Sequence, residues 1–157
     1  MAYQDDIKKA AALLLPWNKL SGCNILVTGA TGLIGGCLVD VLMAHKGRNY
    51  NVYASGRNEE RAGRRFLKYA DDNAFHFVKY DVAQPLEYDV NFQYIIHAAS
   101  GAYPEEFIKH PVEVIKGNIN GLDNLMGYGI QHGIKRLLYI SSGEVYGEGD
   151  GRVFTEN

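Results

Sequence analysis

The feature that most restricts the fold is a set of glycines placed directly behind a strand of the buried type. Asn24-Ile-Leu-Val-Thr28 is a continuous apolar run, and Gly29, Gly32 and Gly35 follow it within Thr28-Gly-Ala-Thr-Gly-Leu-Ile-Gly35. A short run without polar alternation is what a parallel strand covered on both faces requires. Leu33, Ile34, Cys37, Leu38, Val41 and Leu42 then recur at helical spacing as far as His45-Lys-Gly47, where basic side chains and a glycine suit a helix end. Strand, glycine turn and helix in that order predict a phosphate-holding loop. Gly29 permits a tight turn, Gly32 admits a pyrophosphate to the backbone with no Cβ in the way, and Gly35 lets the helix pack closely on the sheet. Amide N–H groups and the helix dipole then face the phosphates, with Thr31, Leu33 and Ile34 in the same cradle. A glycine-rich turn that binds nothing is the bland alternative, and three glycines in this register weigh against it.

The rest of the chain repeats the alternation. Tyr50–Ser55, Phe75–Tyr80, Phe92–Ala98 and Arg136–Ser141 read as strands two to five, while Glu59–Ala70 reads as a charged outer helix and Val112–Gly129 as a long one. Strand-helix-strand repeats imply right-handed crossovers, so the expected fold is α/β, a Rossmann-type doubly wound parallel sheet with about five strands. Ahead of it, Asp5–Leu15 predicts a helix that packs through Ile7, Ala10, Ala11 and Leu14 and stops before Pro16. The expected division is a helical extension over 1–22 and an incomplete dinucleotide-binding domain over 23–157.

Composition narrows the partners. In 157 residues, 16 Lys and Arg against 18 Asp and Glu leave a charge of −2, which lacks the basic footprint of a nucleic-acid or anionic-membrane binder. The acidic start and short apolar stretch Ala10–Leu15 match neither a secretory signal nor a span, so a cytoplasmic protein is expected. Cys23 and Cys37 have no CxxC spacing and read as reduced core thiols, and the histidines at 45, 76, 97, 110 and 132 make no paired metal spacing. No metal is expected, and His97 reads as a buried, hydrogen-bonded strand-end residue. Ser142 stands outside any G-x-S-x-G elbow.

TGATGLIGG at 28–36, Asp81-Val82, His97-Ala-Ala-Ser100, Asn118-Ile-Asn-Gly121 and Ser141-Ser-Gly-Glu-Val-Tyr-Gly147 together resemble the extended short-chain dehydrogenase/reductase family. Within it they resemble the NAD-dependent nucleotide-sugar epimerases and dehydratases, over roughly Asn24 to Gly147. The resemblance implies that Asp81 and Val82 contact the adenine, that Ala98, Ala99 and Ser100 line the pyrophosphate and ribose, and that Asn118 holds the nicotinamide half, with Ser141 beside it. For Asp81 a strand-end cap is the alternative. The resemblance also implies a nucleotide-sugar substrate, transient oxidation at sugar C4, and an option of homodimerisation through the 112–129 helix.

NAD-preferring relatives carry an acid at the end of strand two, where this chain has Gly56 followed by Arg57. A guanidinium there suits a 2′-phosphate, which tips the cofactor from NAD towards NADP. At the catalytic end, Ser142 matches the family's substrate-orienting Ser/Thr, and Glu144 matches a glutamate of the decarboxylases and 4,6-dehydratases. Gly143 replaces the dehydratases' proton-donating Asp, which lowers that option. His110-Pro-Val-Glu-Val-Ile-Lys-Gly-Asn118 and Gly-Glu-Val-Tyr look closest to the UDP-glucuronate decarboxylase branch. None of the eleven tyrosines has Lys four residues on, so the family's Tyr-x-x-x-Lys base is missing. The expectation is an N-terminal piece of a longer enzyme that binds cofactor without turnover, with a non-catalytic redox-sensing or regulatory module as the alternative.

Overall fold

A computed structural model describes residues 2–100, 104–147 and 155. Five strands, β1 (Asn24–Thr28), β2 (Asn51–Gly56), β3 (Phe75–Lys79), β4 (Tyr94–His97) and β5 (Arg136–Tyr139), form one sheet in the order β3-β2-β1-β4-β5. Every pairing is parallel, with Val27 opposite Ala54 and Thr28 opposite His97. The order reverses direction at β1, so β1 and β4 flank the switch point where an open α/β sheet leaves a crevice at its carboxyl edge. This is the doubly wound sheet expected.

Alternation along β1 splits the core into two layers. Ile25 and Val27 point to one face, where they join Val39, Leu42 and Met43 of α2 (Leu33–Ala44) and Ala62 and Phe66 of α3 (Glu59–Phe66). Leu26 points to the other, with Ile95, Phe92, and Leu125 and Tyr128 of α5 (Pro111–Gln131), numbered after the short α4 (Pro104–Lys109). The Tyr128 hydroxyl donates to the Tyr88 and Val90 carbonyls, closing the loop ahead of β4.

Several boundaries differ from the sequence-based expectation. The first helix, α1 (Ala2–Ala11), ends four residues earlier than its pattern predicts. Ile7 and Ala11 are buried against α2, whereas Leu13, Leu14 and Leu15 are exposed and Ala10 is half-buried. The packing surface runs out at Ala11, whose carbonyl is met by the His45 ring at 3.2 Å, and Trp17 stacks on the same ring with centroids 4.3 Å apart. Cys23 is buried as expected, but Cys37 is half-buried, on a part of α2 that the core does not cover. The helix α4 was not expected, and Pro111 opens α5 at a first-turn position where its missing N–H costs nothing.

Asp40 is the one fully buried acid in the described core. Arg65 Nη2 at 2.6 Å, Lys68 Nζ at 2.8 Å and the hydroxyls of Tyr3 at 2.6 Å and Tyr69 at 2.9 Å all reach it. Burial alone would raise its pKa, but hydrogen bonds from Arg65, Lys68, Tyr3 and Tyr69 outweigh that and hold it at about 2. One carboxylate thus ties α1, α2 and α3 together.

Candidate dinucleotide site

The predicted glycines sit where β1 leaves the sheet and α2 begins. Gly29 has φ +64°, and a Cβ on it would stand 2.5 Å from the Ala98 carbonyl oxygen and 2.7 Å from Ala99 Cα. Backbone therefore meets backbone across the switch point, bringing the loop against Ala98 and Ala99. At Gly35 a Cβ would fall 2.5 Å from the Gly29 carbonyl oxygen, so the helix is drawn onto its own loop. Gly32 is different: it is exposed, and its Cβ would meet just the Gly29 carbonyl oxygen, at 3.1 Å. It precedes α2 in an extended conformation with no side-chain cap, which leaves the first-turn N–H groups of Leu33 and Ile34 ahead of the first intrahelical bond. Leu33 is 86% and Ile34 53% exposed, an apolar lip beside those amides. A cradle that side chains would fill, at an uncapped helix start, fits the pyrophosphate of a dinucleotide.

The other predicted residues gather along the same carboxyl edge. A Cβ at Gly56 would lie 3.4 Å from Thr31 Cγ2 and Oγ1, so the end of β2 borders the glycine loop, with Arg57 exposed just beyond it. Asp81 and Val82 follow β3, and the Asp81 carboxylate accepts from the Ala83 N–H at 3.1 Å, the turn-capping role set beside adenine contact. Ser100 is exposed after β4, and Ser141 and Ser142 are exposed after β5. Ser142 leads into a short 3-10 turn, Gly143–Tyr146, that carries the backbone of Glu144; the Glu144 side chain lies outside the described residues. Asn118 stands on α5, lining a groove with Ile119, Leu122, Asp123, Met126 and Tyr139. A cleft of about 480 Å³ opens along β3 and borders this edge at Asp81, with Lys79, Glu87 and Tyr88 also among its walls.

Behind the loop, His97 is fully buried. Its Nδ1 shares a 2.8 Å hydrogen bond with the Thr28 hydroxyl, and among the described residues Nε2 has no partner. Burial pushes its pKa down, so the ring is neutral near pH 7, a structural group supporting the β1–β4 pair. Sequence reading missed Asn124, whose amide Nδ2 donates to the Val82 carbonyl at 3.0 Å across 42 positions. No local pattern marks such a contact, because it depends on how α5 lies over the β3 turn. Among the described residues no three His, Cys, Asp or Glu side chains come together to hold a metal, and no helix is long and apolar enough to cross a membrane.

Known proteins resemble this chain in sequence and in fold. The UDP-glucuronic acid decarboxylase 6 of Arabidopsis thaliana is 34% identical over 131 residues, covering 82% of this chain and 36% of its own length. A UDP-glucuronic acid decarboxylase 1 of Danio rerio is 32% identical over 126 residues, covering 79% and 28%. The chain thus spans about a third of the length of the curated relatives it matches. The UDP-glucose-4-epimerase of Stenotrophomonas maltophila, solved with NAD and a formylated UDP-arabinopyranose, superposes with a TM-score of 0.67 at 25% identity, over 82% of this chain and 39% of that one. Residues 25–157 match the model of the NAD dependent epimerase/dehydratase family. With the glycine cradle and the parallel sheet around it, that match over most of its length makes this chain a member of the NAD dependent epimerase/dehydratase family.

Proposed function

We propose that the chain is the cofactor-binding part of an NAD(P)-dependent enzyme that alters a nucleotide sugar through transient oxidation at sugar C4. The observation that carries this reading is the backbone contact of Gly29 with Ala98 and Ala99, which forms a cradle at the start of α2. In this proposal the extension over 1–22 precedes a dinucleotide-binding domain over 23–157, in a cytoplasmic protein. The pyrophosphate rests on Gly32, Leu33 and Ile34, with Gly29, Thr31 and Gly35 shaping the loop. Asp81 and Val82 flank the adenine, Ala98, Ala99 and Ser100 line the ribose and pyrophosphate, and Asn118 and Ser141 hold the nicotinamide half. When bound, the nicotinamide supplies a hydride acceptor and donor. Ser142 orients the sugar's reacting oxygen and Glu144 assists proton transfer.

Decarboxylase and epimerase chemistry are both kept, since the decarboxylase relatives and the epimerase structure support one each. Gly143 lacks the acid a 4,6-dehydratase uses to protonate its leaving hydroxyl. These 157 residues contain no Tyr-x-x-x-Lys, and absence of a positioned base costs roughly 10²–10⁴ in rate. We therefore propose binding without turnover for the chain by itself. NADP is favoured over NAD because Gly56 removes the acid that repels a 2′-phosphate and Arg57 is exposed beside it.

Parallel calorimetric titrations with NADP and NAD test both parts. We expect saturable binding of each, tighter for NADP, with the preference shrinking about 10- to 100-fold in Arg57→Ala, the size of one hydrogen bond to a charged group. An unchanged preference removes Arg57 from the site, and absence of any binding overturns the cofactor reading.

A further inference from the structure

We infer that Asn124 is a positioning residue for the turn that carries Asp81 and Val82, an inference that rests on the dinucleotide reading and adds a residue to it. The turn's own bonds are local: the Ala83 N–H donates to the Asp81 carboxylate at 3.1 Å and the Gln84 N–H to the Asp81 carbonyl at 2.9 Å. They shape the turn without fixing its place on the sheet. Its near side is tied to β2, where the Tyr80 N–H donates to the Gly56 carbonyl at 3.1 Å; Asn124 fixes the far side, donating from Nδ2 to the Val82 carbonyl at 3.0 Å.

Gly121, three residues earlier and so on the same face of α5, makes that reach possible. A Cβ at Gly121 would stand 3.2 Å from Val82 Cβ and Cγ2 and 3.3 Å from His97 Nε2. The helix therefore lies directly on the turn and on the buried imidazole behind the glycine loop. Val82 is half-buried, so loss of the amide lets its carbonyl turn to water and carries the Asp81–Val82 backbone with it. The glycine loop, held by Gly29, Ala98 and Ala99 on the other side of His97, keeps its place. The consequence is selective: loss of Asn124 weakens the adenine half of a dinucleotide site and spares the pyrophosphate cradle.

The test uses the full 157-residue chain, titrated with AMP and with NAD while backbone amide resonances are followed. In Asn124→Ala and in the isosteric Asn124→Asp, which presents an acceptor in place of the donor, both affinities fall about 3- to 10-fold. Ligand-induced shifts at 82–84 shrink, and those of NAD at 29–34 persist at saturation. Affinities equal to wild type, or shifts at 29–34 and 82–84 lost together, overturn the role of Asn124. If wild type itself binds neither AMP nor NAD, the dinucleotide reading fails instead. Should both variants fail to fold, the Asn124 side-chain amide resonance of wild type decides: it moves on AMP binding, and an unmoved resonance overturns the inference.

Discussion

At Gly29 an added methyl group would stand 2.5 Å from the Ala98 carbonyl oxygen, on a residue whose φ of +64° already disfavours an L side chain. Nothing flexible is available to move aside, since the colliding atoms are backbone. At Gly32 the nearest atom is 3.1 Å away and the residue faces solvent, so a few tenths of an ångström of relaxation suffice. Gly29→Ala is therefore expected to cost about 3 kcal/mol or more of stability, in the range of backbone strain combined with overpacking. Gly32→Ala is expected to cost under about 1 kcal/mol, within the range of surface substitutions and small overpacking, while weakening dinucleotide binding markedly. Urea unfolding paired with NADP titration checks both, and comparable stability losses at the two positions would contradict the division. The three glycines were legible from sequence because strand, loop and helix are contiguous. The assignment of each role was less so: the close partners of Gly29, Ala98 and Ala99, lie just past the end of β4, about 70 positions further along.

Among the elements, α2 carries both the proposed phosphate-binding start and, two turns on, the buried Asp40. The ordinary carboxyl pKa of 3.8 falls to about 2 in the fold. A depressed carboxyl contributes stability that is complete above the unfolded value and lost as pH falls through the folded one. The difference amounts to about 2 kcal/mol at 1.36 kcal/mol per pKa unit. Wild type is thus expected to lose roughly that much between pH 5 and pH 2 through this group. Asp40→Asn is expected to be destabilised at pH 7, because Arg65 and Lys68 lose their counter-charge, and to lack that acid-limb slope. Denaturant unfolding across the pH range checks it; a variant with the wild-type slope would contradict the assignment. Sequence periodicity located α2, α3 and the strands within a few residues, since each buries a regular face. It could not place Tyr3, Arg65, Lys68 and Tyr69 around one carboxylate, which depends on the tertiary meeting of α1, α2 and α3. It also overran α1, because Leu13–Leu15 continue an apolar pattern that no neighbouring surface covers.

For the whole molecule, α5 divides its surface. Val114, Gly121, Leu125 and Tyr128 are buried on the sheet, whereas Val112, Ile115, Ile119, Met126 and Ile130 are exposed along another face. Apolar residues spaced three and four apart on an exposed helix favour self-association, the option that the family resemblance raises for this helix. Sedimentation of the chain is expected to show a concentration-dependent dimer that Ile119→Lys disperses, and a monomer at all concentrations would contradict it. The two layers of the sheet and its carboxyl-edge crevice were legible from the strand-helix alternation; what α5 does on its two faces was not, since its pattern is apolar around more than one side. The account stands on the carboxyl edge of this sheet being a dinucleotide site. A crystal structure of the chain with NADP tests it most directly. We predict the pyrophosphate within hydrogen-bond reach of the Leu33 and Ile34 amides, over Gly32, with the adenine beside Asp81 and Val82. A dinucleotide bound elsewhere, such as in the cleft along β3 with the glycine loop untouched, would contradict the account.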